Sequence, residues 1–212
     1  MAVSEVKRKF SGLDRAEEAF LPYQTSIIDR PRFLREKTGL SASEIGTAMH
    51  VVMQHLDFQG QLTIQGIGSQ VEAMLQKEIL TLEDRQAIDI KAIAGLFNTP
   101  LGNRMLEAKA VLREIPFTLG LPGHLVHREI PSSGEEIVVV QGVIDCLLEE
   151  EDGLVLIDYK TNYVKDEADL VRITEEYQGQ MNLYSLAVES SLKKKVKEKY
   201  LYLFSVGRDI KI

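Results

Sequence analysis

Apolar residues recur at helical spacing in the first half of the chain and gather into β-branched runs in the second half. The first strong helical pattern begins at Ser41-Ala-Ser-Glu44, a sequence that matches a capping box. It predicts an amphipathic first core helix within 41–58. The apolar stripe of this helix consists of Ile45, Met49, Val52, Met53 and Leu56.

Residues 59–109 carry further helical patterns and predict a helical insertion ahead of the sheet. One helix is expected over 69–80. Thr81 opens a capping box for a third helix, which continues until Pro100 breaks it. A short helix around 101–108 completes the insertion.

The remaining part, 110–206, predicts a sheet and one more core helix. Strands are expected over 110–119, 136–148 and 154–160, a long helix over 167–190 and a last strand over 197–206. This order predicts an α/β fold with a mixed central sheet flanked by helices. Residues 1–40 are mostly polar and predict an N-terminal extension with a short helix, so we expect 1–212 to form a single domain.

Three charged residues interrupt the apolar runs of the second and third strands: Asp145, Asp158 and Lys160. Burying a carboxylate is costly unless a cation or hydrogen bonds compensate. Two carboxylates beside an ammonium therefore indicate a metal site that performs phosphate chemistry. A buried ion pair and an edge strand that carries charge against aggregation are the alternatives.

The turn between these two strands decides whether the three side chains meet. Residues 150–153 end in Asp-Gly, a strong hairpin signal. A two-residue turn at Asp-Gly places Asp145 opposite Lys160, whereas a four-residue loop places Asp145 opposite Asp158. Because strand side chains alternate faces, both registers put the three on one face, within roughly 5–8 Å of each other. A three-residue loop would separate them.

Two further elements carry candidate site residues. Gly46 and His50 lie one turn apart on the first helix, and a mid-helix glycine costs up to ~1 kcal/mol relative to alanine. The glycine would leave space for the histidine ring or for a phosphate. Glu114 is another charge inside an apolar strand and could be a further carboxylate near the metal. The alternatives are a surface histidine and a structural salt bridge.

The long helix after the hairpin carries Tyr177, Gln180 and Tyr184 at i, i+3, i+7 spacing, which makes one stripe. Gln180 lies near the end of the helix that faces the hairpin, so it can hydrogen-bond the catalytic strand or DNA. Plain packing against the sheet is the alternative.

Composition narrows the classes of function. The chain has 212 residues, of which 44% are hydrophobic and 27% charged, as in ordinary globular proteins. No apolar run reaches the ~18–20 residues of a membrane helix and no signal peptide is evident, so a cytoplasmic protein is expected. Cys146 is the only cysteine, which excludes a disulfide framework and a four-cysteine iron–sulfur cluster. The sequence contains no P-loop motif, so we expect no nucleotide to bind in the way that a P-loop binds it. The net charge of −7 argues mildly against nucleic acid as a binding partner, although the carboxylates of a metal site would themselves make the net charge more negative.

The motifs that carry a family resemblance are, in order, Gly46-x-x-x-His50, Asp145, Asp158-Tyr-Lys160-Thr161 and Gln180-x-x-x-Tyr184. Together they resemble the RecB-like branch of the PD-(D/E)XK nucleases, which implies a restriction-endonuclease-like core. Within that branch the chain is most similar to the C-terminal nuclease domain of bacterial AddA-type helicase–nuclease subunits. AddB-type subunits and Cas4-like nucleases usually carry four cluster-binding cysteines, which a single-cysteine chain cannot supply.

The resemblance also implies roles for the site residues. The metal would be Mg²⁺, with Mn²⁺ as a substitute. Lys160 would position or help deprotonate the attacking water, Gln180 and Tyr184 would shape the site, and Glu114 would be an additional catalytic residue. The metal ligands would be His50, Asp145, Asp158 and the backbone carbonyl of Tyr159.

The biological setting implied by the resemblance is hydrolysis of one unwound DNA strand during double-strand-break repair and recombination, in the bacterial nucleoid. The implied partners are DNA, the helicase part of the parent chain and an AddB-type second subunit. The lack of a leading fold before the first helix favours an excised domain. A standalone RecB-like nuclease and an inactive DNA-binding or scaffold module are the alternatives.

Overall fold

The computed structural model describes residues 39–122 and 137–212, so nearly all of the predicted extension 1–40 lies outside the described residues. None of the described helices is both long and apolar enough to cross a membrane. The described elements are, in chain order, α1 (Ala42–His55), α2 (Ile64–Gln76), α3 (Leu82–Ala87), α4 (Ile90–Leu96), α5 (Pro100–Glu107), β1 (Ala110–Pro122), β2 (Ile137–Glu150), β3 (Gly153–Lys160), α6 (Glu167–Leu192), β4 (Val196–Leu203) and β5 (Arg208–Lys211).

The five strands form one sheet in the spatial order β1-β2-β3-β4-β5. β1, β2 and β3 pair antiparallel, α6 connects β3 to the parallel strand β4, and β5 pairs antiparallel with β4. Helices α1, α2, α4 and α5 contribute to the apolar core on one face of the sheet, and α6 covers the other. The predicted α/β fold with a mixed, helix-flanked sheet is confirmed.

The helix expected over 69–80 begins earlier, because α2 covers Ile64–Gln76. The Thr63 hydroxyl caps it by accepting a hydrogen bond from the Gly66 backbone N–H. A Cβ at position 66 would lie 2.2 Å from the Gln61 carbonyl oxygen, so glycine is required where the preceding loop contacts the first turn. Gly66 therefore permits the close approach of the loop.

The single helix expected between Thr81 and Pro100 is wrong, because two helices occupy this segment. Thr81 forms the predicted capping box with Asp84. α3 then ends, and Asp89 caps α4 by accepting from the Ala92 backbone N–H. An aspartate that accepts this bond starts a new helix more favourably than it continues the old one.

Two strand features also differ from expectation. The last strand, expected over 197–206, ends at Leu203, and β5 follows as an unpredicted edge strand after Gly207, whose φ is +61°. In the hairpin, Glu150 pairs with Gly153, so the two-residue turn lies one position before Asp-Gly. The pairing register is nevertheless the one predicted for the four-residue loop.

Arg104 of α5 joins the helical insertion to the sheet. Its Nε and Nη2 donate to the two carboxylate oxygens of Glu150 at 3.0 and 3.1 Å, and its Nη1 lies 2.6 Å from Glu198 Oε2. Arg104→Met keeps most of the aliphatic stem but removes this bidentate contact, so we expect the free energy of unfolding to fall by about 1–2 kcal/mol in urea titrations. Arg85→Met, which removes the more exposed pair with Glu72 inside the insertion, should change it by less than about 0.5 kcal/mol. Equal losses of unfolding free energy in both variants would contradict the role of Arg104 in joining the insertion to the sheet.

Candidate active site

The alternation of side chains changes phase at one point in both β1 and β2. Val111 and Ile115 are four residues apart yet pack on opposite faces of the sheet. Between them lies Glu114, whose φ is +50°. On β2, Ile144 packs on the α6 face and Cys146 on the α1 face. A left-handed backbone at a non-glycine residue costs about 1–2 kcal/mol and concentrates at functional sites.

The phase change on β2 falls at Asp145, which is only 8% exposed. Its Oδ2 accepts a hydrogen bond of 2.7 Å from the Tyr159 backbone N–H. The last backbone pair between β2 and β3 is Cys146 with Ile157. Just past it, the Asp145 carboxylate accepts the hydrogen bond that a backbone carbonyl would otherwise accept. Continuing that register by one residue places Asp145 opposite Asp158.

His50 brings an imidazole from α1 to these strands, and its side chain is 28% exposed. Nε2 lies 3.1 Å from the Tyr159 carbonyl oxygen, and Nδ1 lies 3.5 Å from Asp145 Oδ1 and 3.7 Å from Glu114 Oε1. Burial lowers the pKa of His50, but hydrogen bonding to both carboxylates and the charge of Asp145 outweigh burial and raise the pKa to about 10. The two carboxylates therefore stabilise positive charge on the imidazole.

Gly46 lies one helical turn before His50, at the place where α1 approaches the end of β3. A Cβ at position 46 would lie 3.1 Å from Thr161 Oγ1, tighter than an ordinary contact. Glycine here allows α1 to come close to β3, and the close approach holds His50 against the Tyr159 carbonyl.

Asp158 and Lys160 form a buried ion pair beside Asp145. Lys160 Nζ contacts Asp158 Oδ2, and the two side chains are 13% and 1% exposed. Burial, followed by the charge of Asp145, raises the pKa of Asp158 to about 6 although Lys160 opposes the shift. Burial lowers the pKa of Lys160, but the two carboxylates raise it above its usual value. Asp145 and Asp158 together carry more negative charge than Lys160 neutralises, so this group of side chains favours the binding of a further cation.

The predicted stripe of α6 meets β3 through its amide. Gln180 Nε2 donates to Asp158 Oδ1 at 3.1 Å and to the Tyr184 hydroxyl oxygen at 2.8 Å. A primary amide has two N–H donors, so both bonds can form together. The Tyr184 ring packs edge-on against Phe117 of β1 at 5.5 Å between ring centroids. Gln180 and Tyr184 therefore fix the orientation of the Asp158 carboxylate.

Tyr177, at the start of the same stripe, contacts Lys160. The ammonium lies 4.3 Å from the centre of the phenol ring, within the range of a cation–π contact. The Tyr177 hydroxyl donates to Asn162 Oδ1 at 3.4 Å. Its spacing from Gln180 marks the stripe, but no sequence signal identifies the contact with Lys160, because that contact depends on how α6 packs on β3.

Three potential metal donors gather at this point of the described structure. Atoms of His50, Glu114 and Asp145 all lie within 4.8 Å of one another. The Tyr159 carbonyl oxygen adjoins them through its contact with His50 Nε2. Carboxylate and carbonyl oxygens suit Mg²⁺ and Mn²⁺, and a single imidazole is compatible with Mn²⁺. The residues present therefore fit a divalent metal.

The grouping differs in two respects from the ligand set that the family resemblance implies. Asp158 is outside the group of three, and its two oxygens contact Lys160 and Gln180. Glu114 is inside the group, brought there by its left-handed backbone. The sequence marks Glu114 only as a charge inside an apolar strand, since the backbone conformation that turns it toward His50 has no local sequence signal.

Comparison with known proteins identifies related chains. Residues 12–209 match the family model described as the PD-(D/E)XK nuclease superfamily. The chain is 46% identical over 208 residues to the A-type subunit of the ATP-dependent helicase/nuclease of Thermoanaerobacter sp. (strain X514), and the match covers 98% of this chain and 17% of that protein. Proteins of the same name from Desulforamulus reducens and Bacillus cytotoxicus are 43% and 42% identical over 100% of this chain. The chain spans 17% and 18% of the lengths of these two relatives.

Proposed function

Because the chain belongs to the PD-(D/E)XK nuclease superfamily, we propose that it is a divalent-metal-dependent deoxyribonuclease that hydrolyses phosphodiester bonds in single-stranded DNA. The observation that carries the proposal is the buried Asp158–Lys160 pair, with Asp145 and His50 beside it. Such a concentration of charge in a protein interior costs stability, and a catalytic site is the usual reason to maintain it.

Lys160 would contact the reacting atoms directly. Its ammonium lies between the Asp158 carboxylate and the Tyr177 ring, so its position is restrained from two sides. From that position Lys160 would donate a hydrogen bond to the attacking water or to a phosphate oxygen. Gln180 and Tyr184 would keep the Asp158 carboxylate oriented toward the ammonium.

His50, Glu114, Asp145 and the Tyr159 carbonyl would hold the metal, with Asp158 as a further ligand. Mg²⁺ is the expected ion, and Mn²⁺ would substitute for it. A bound divalent cation would supply positive charge that stabilises the negative charge developing on the phosphate during in-line attack.

The relatives support a setting for this activity. Their name joins a helicase to a nuclease, and the chain matches 17% of their length. We propose that the chain acts as the nuclease domain of such a protein, receives one unwound strand from a helicase part, and works with an AddB-type subunit. Repair and recombination of double-strand breaks in the bacterial nucleoid is the proposed role.

Removal of the metal tests the proposed chemistry. We expect the 212-residue chain to cleave an end-labelled single-stranded oligonucleotide in Mg²⁺ or Mn²⁺, and to lose cleavage at least about 10³-fold in excess EDTA, because the phosphate charge would then be uncompensated. Gel electrophoresis of the products measures both rates, and added Mn²⁺ should restore cleavage. Cleavage that persists in EDTA would contradict metal dependence, and DNA binding without cleavage in any divalent metal would favour the inactive module.

A further inference from the structure

Tyr163 lies in the loop between β3 and α6 with its ring projecting into solvent. It is 77% exposed, more than any other large apolar or aromatic side chain of the described residues. It follows Lys160 by three residues, so the two Cα atoms are at most about 11 Å apart. The exposed ring therefore belongs to the loop that leaves the proposed site of phosphodiester cleavage.

The chain on both sides of Tyr163 is attached to other elements. The attachments are hydrogen bonds from Phe204 N to Lys160 O (2.9 Å), Ser205 Oγ to Asn162 O (2.6 Å), Tyr177 Oη to Asn162 Oδ1 (3.4 Å) and Lys165 N to Asp169 Oδ2 (3.0 Å). These bonds reach the β4–β5 turn and α6. The loop thus holds the Tyr163 backbone in place while leaving its ring uncovered.

An isolated exposed apolar side chain needs no special explanation. Tyr163 differs because its neighbours in the loop are attached to other elements and because it follows Lys160 by only three residues. A restrained aromatic ring loses little conformational freedom when a flat partner stacks on it. In a substrate strand, the flat groups next to a phosphate are nucleobases, and stacking on an aromatic side chain does not depend on base identity.

We propose that Tyr163 is a stacking platform for one unpaired nucleobase beside the scissile phosphate. The proposal rests on the proposed function and specifies its substrate class. Bases within a duplex already stack on their neighbours on both faces, whereas a base in a single strand can turn onto the ring. Tyr163 therefore favours single strands without selecting a sequence.

Variants at this position separate stacking from other roles. We expect Tyr163→Ala to raise KM for a single-stranded oligonucleotide about tenfold with kcat changed less than twofold, because the base loses its stacking partner before the chemical step. Tyr163→Trp should keep KM near the wild-type value. Leu82→Ala is the matched control, since Leu82 is 66% exposed in the helical insertion. It should change neither constant, and all three variants should melt within a few degrees of wild type.

Abasic substrates locate the stacked base. A series of single-stranded oligonucleotides, each with one abasic nucleotide at a different distance from the cleaved bond, is compared on the wild-type chain and on Tyr163→Ala. At one abasic position the KM of the wild type should rise about tenfold, whereas the KM of Tyr163→Ala should rise no further.

The two proposals fail in different ways. The stacking role would be overturned if Tyr163→Ala left KM unchanged. It would also be overturned if each abasic substrate raised KM equally for the wild type and the variant. Either result would leave the nuclease function intact. If the wild-type chain neither cleaved single-stranded DNA nor bound it, with binding measured by anisotropy in EDTA and in Mg²⁺, the proposed function would be overturned and the inference with it.

Discussion

Lys160→Ala is expected to lower the rate of single-strand cleavage by about 10³-fold, because the substitution removes the only ammonium in contact with Asp158 in the described structure. The measurement is kcat for an end-labelled oligonucleotide at saturating Mg²⁺. Lys165→Ala is the matched control, since it removes an exposed lysine from the loop that follows β3. The control should cleave at close to the wild-type rate.

Folding must be checked separately, because loss of Lys160 leaves the Asp158 carboxylate buried without its partner. Lys160→Gln retains a hydrogen-bond donor for Asp158 and lacks the charge, so it should remain folded and still lose most of its activity. Circular dichroism reports the fold of each variant. A folded Lys160→Gln with kcat within tenfold of wild type would contradict the catalytic role of the ammonium.

Asp145→Asn is expected to have a comparably large effect, acting through the metal. The asparagine carbonyl can still accept the hydrogen bond from the Tyr159 backbone N–H, so the strand pairing should survive. The site loses one negative charge and presents an amide to His50 in place of an oxygen ligand. We expect cleavage at fixed Mg²⁺ to fall about 10²-fold or more, and the midpoint of an Mn²⁺ titration of activity to rise at least tenfold.

The hairpin turn provides a matched control for this charge change. Asp152→Asn removes a carboxylate that is 74% exposed, so it should leave both kcat and the Mn²⁺ midpoint unchanged. If Asp145→Asn retained the wild-type metal dependence, Asp145 would not be a ligand and the ion would have to bind elsewhere.

The hairpin shows how far sequence reasoning reached. Asp-Gly predicted a turn, and two-residue alternation predicted that Asp145, Asp158 and Lys160 share one face. Asp158 and Lys160 do pair, and the charge of Asp145 acts on the pKa of both. The turn itself lies one residue earlier. Alternation alone does not predict the position of Asp145, because the phase changes there and its carboxylate accepts a hydrogen bond from the neighbouring strand.

Other features were beyond the sequence for physical reasons. The φ of +50° at Glu114 is unfavourable for glutamate, so only the surrounding structure can impose it. The contact of Tyr177 with Lys160 depends on the packing of α6 against β3. By contrast, Asp89 was a readable helix cap, obscured because the apolar stripe continues past it.

The most direct test of the metal centre is X-ray diffraction from crystals soaked in Mn²⁺, with data collected at the Mn absorption edge. Anomalous density is predicted among His50, Glu114, Asp145 and the Tyr159 carbonyl, with Asp158 close enough to be a further ligand. An ion bound elsewhere, or no ion at a Mn²⁺ concentration that supports cleavage, would contradict the account.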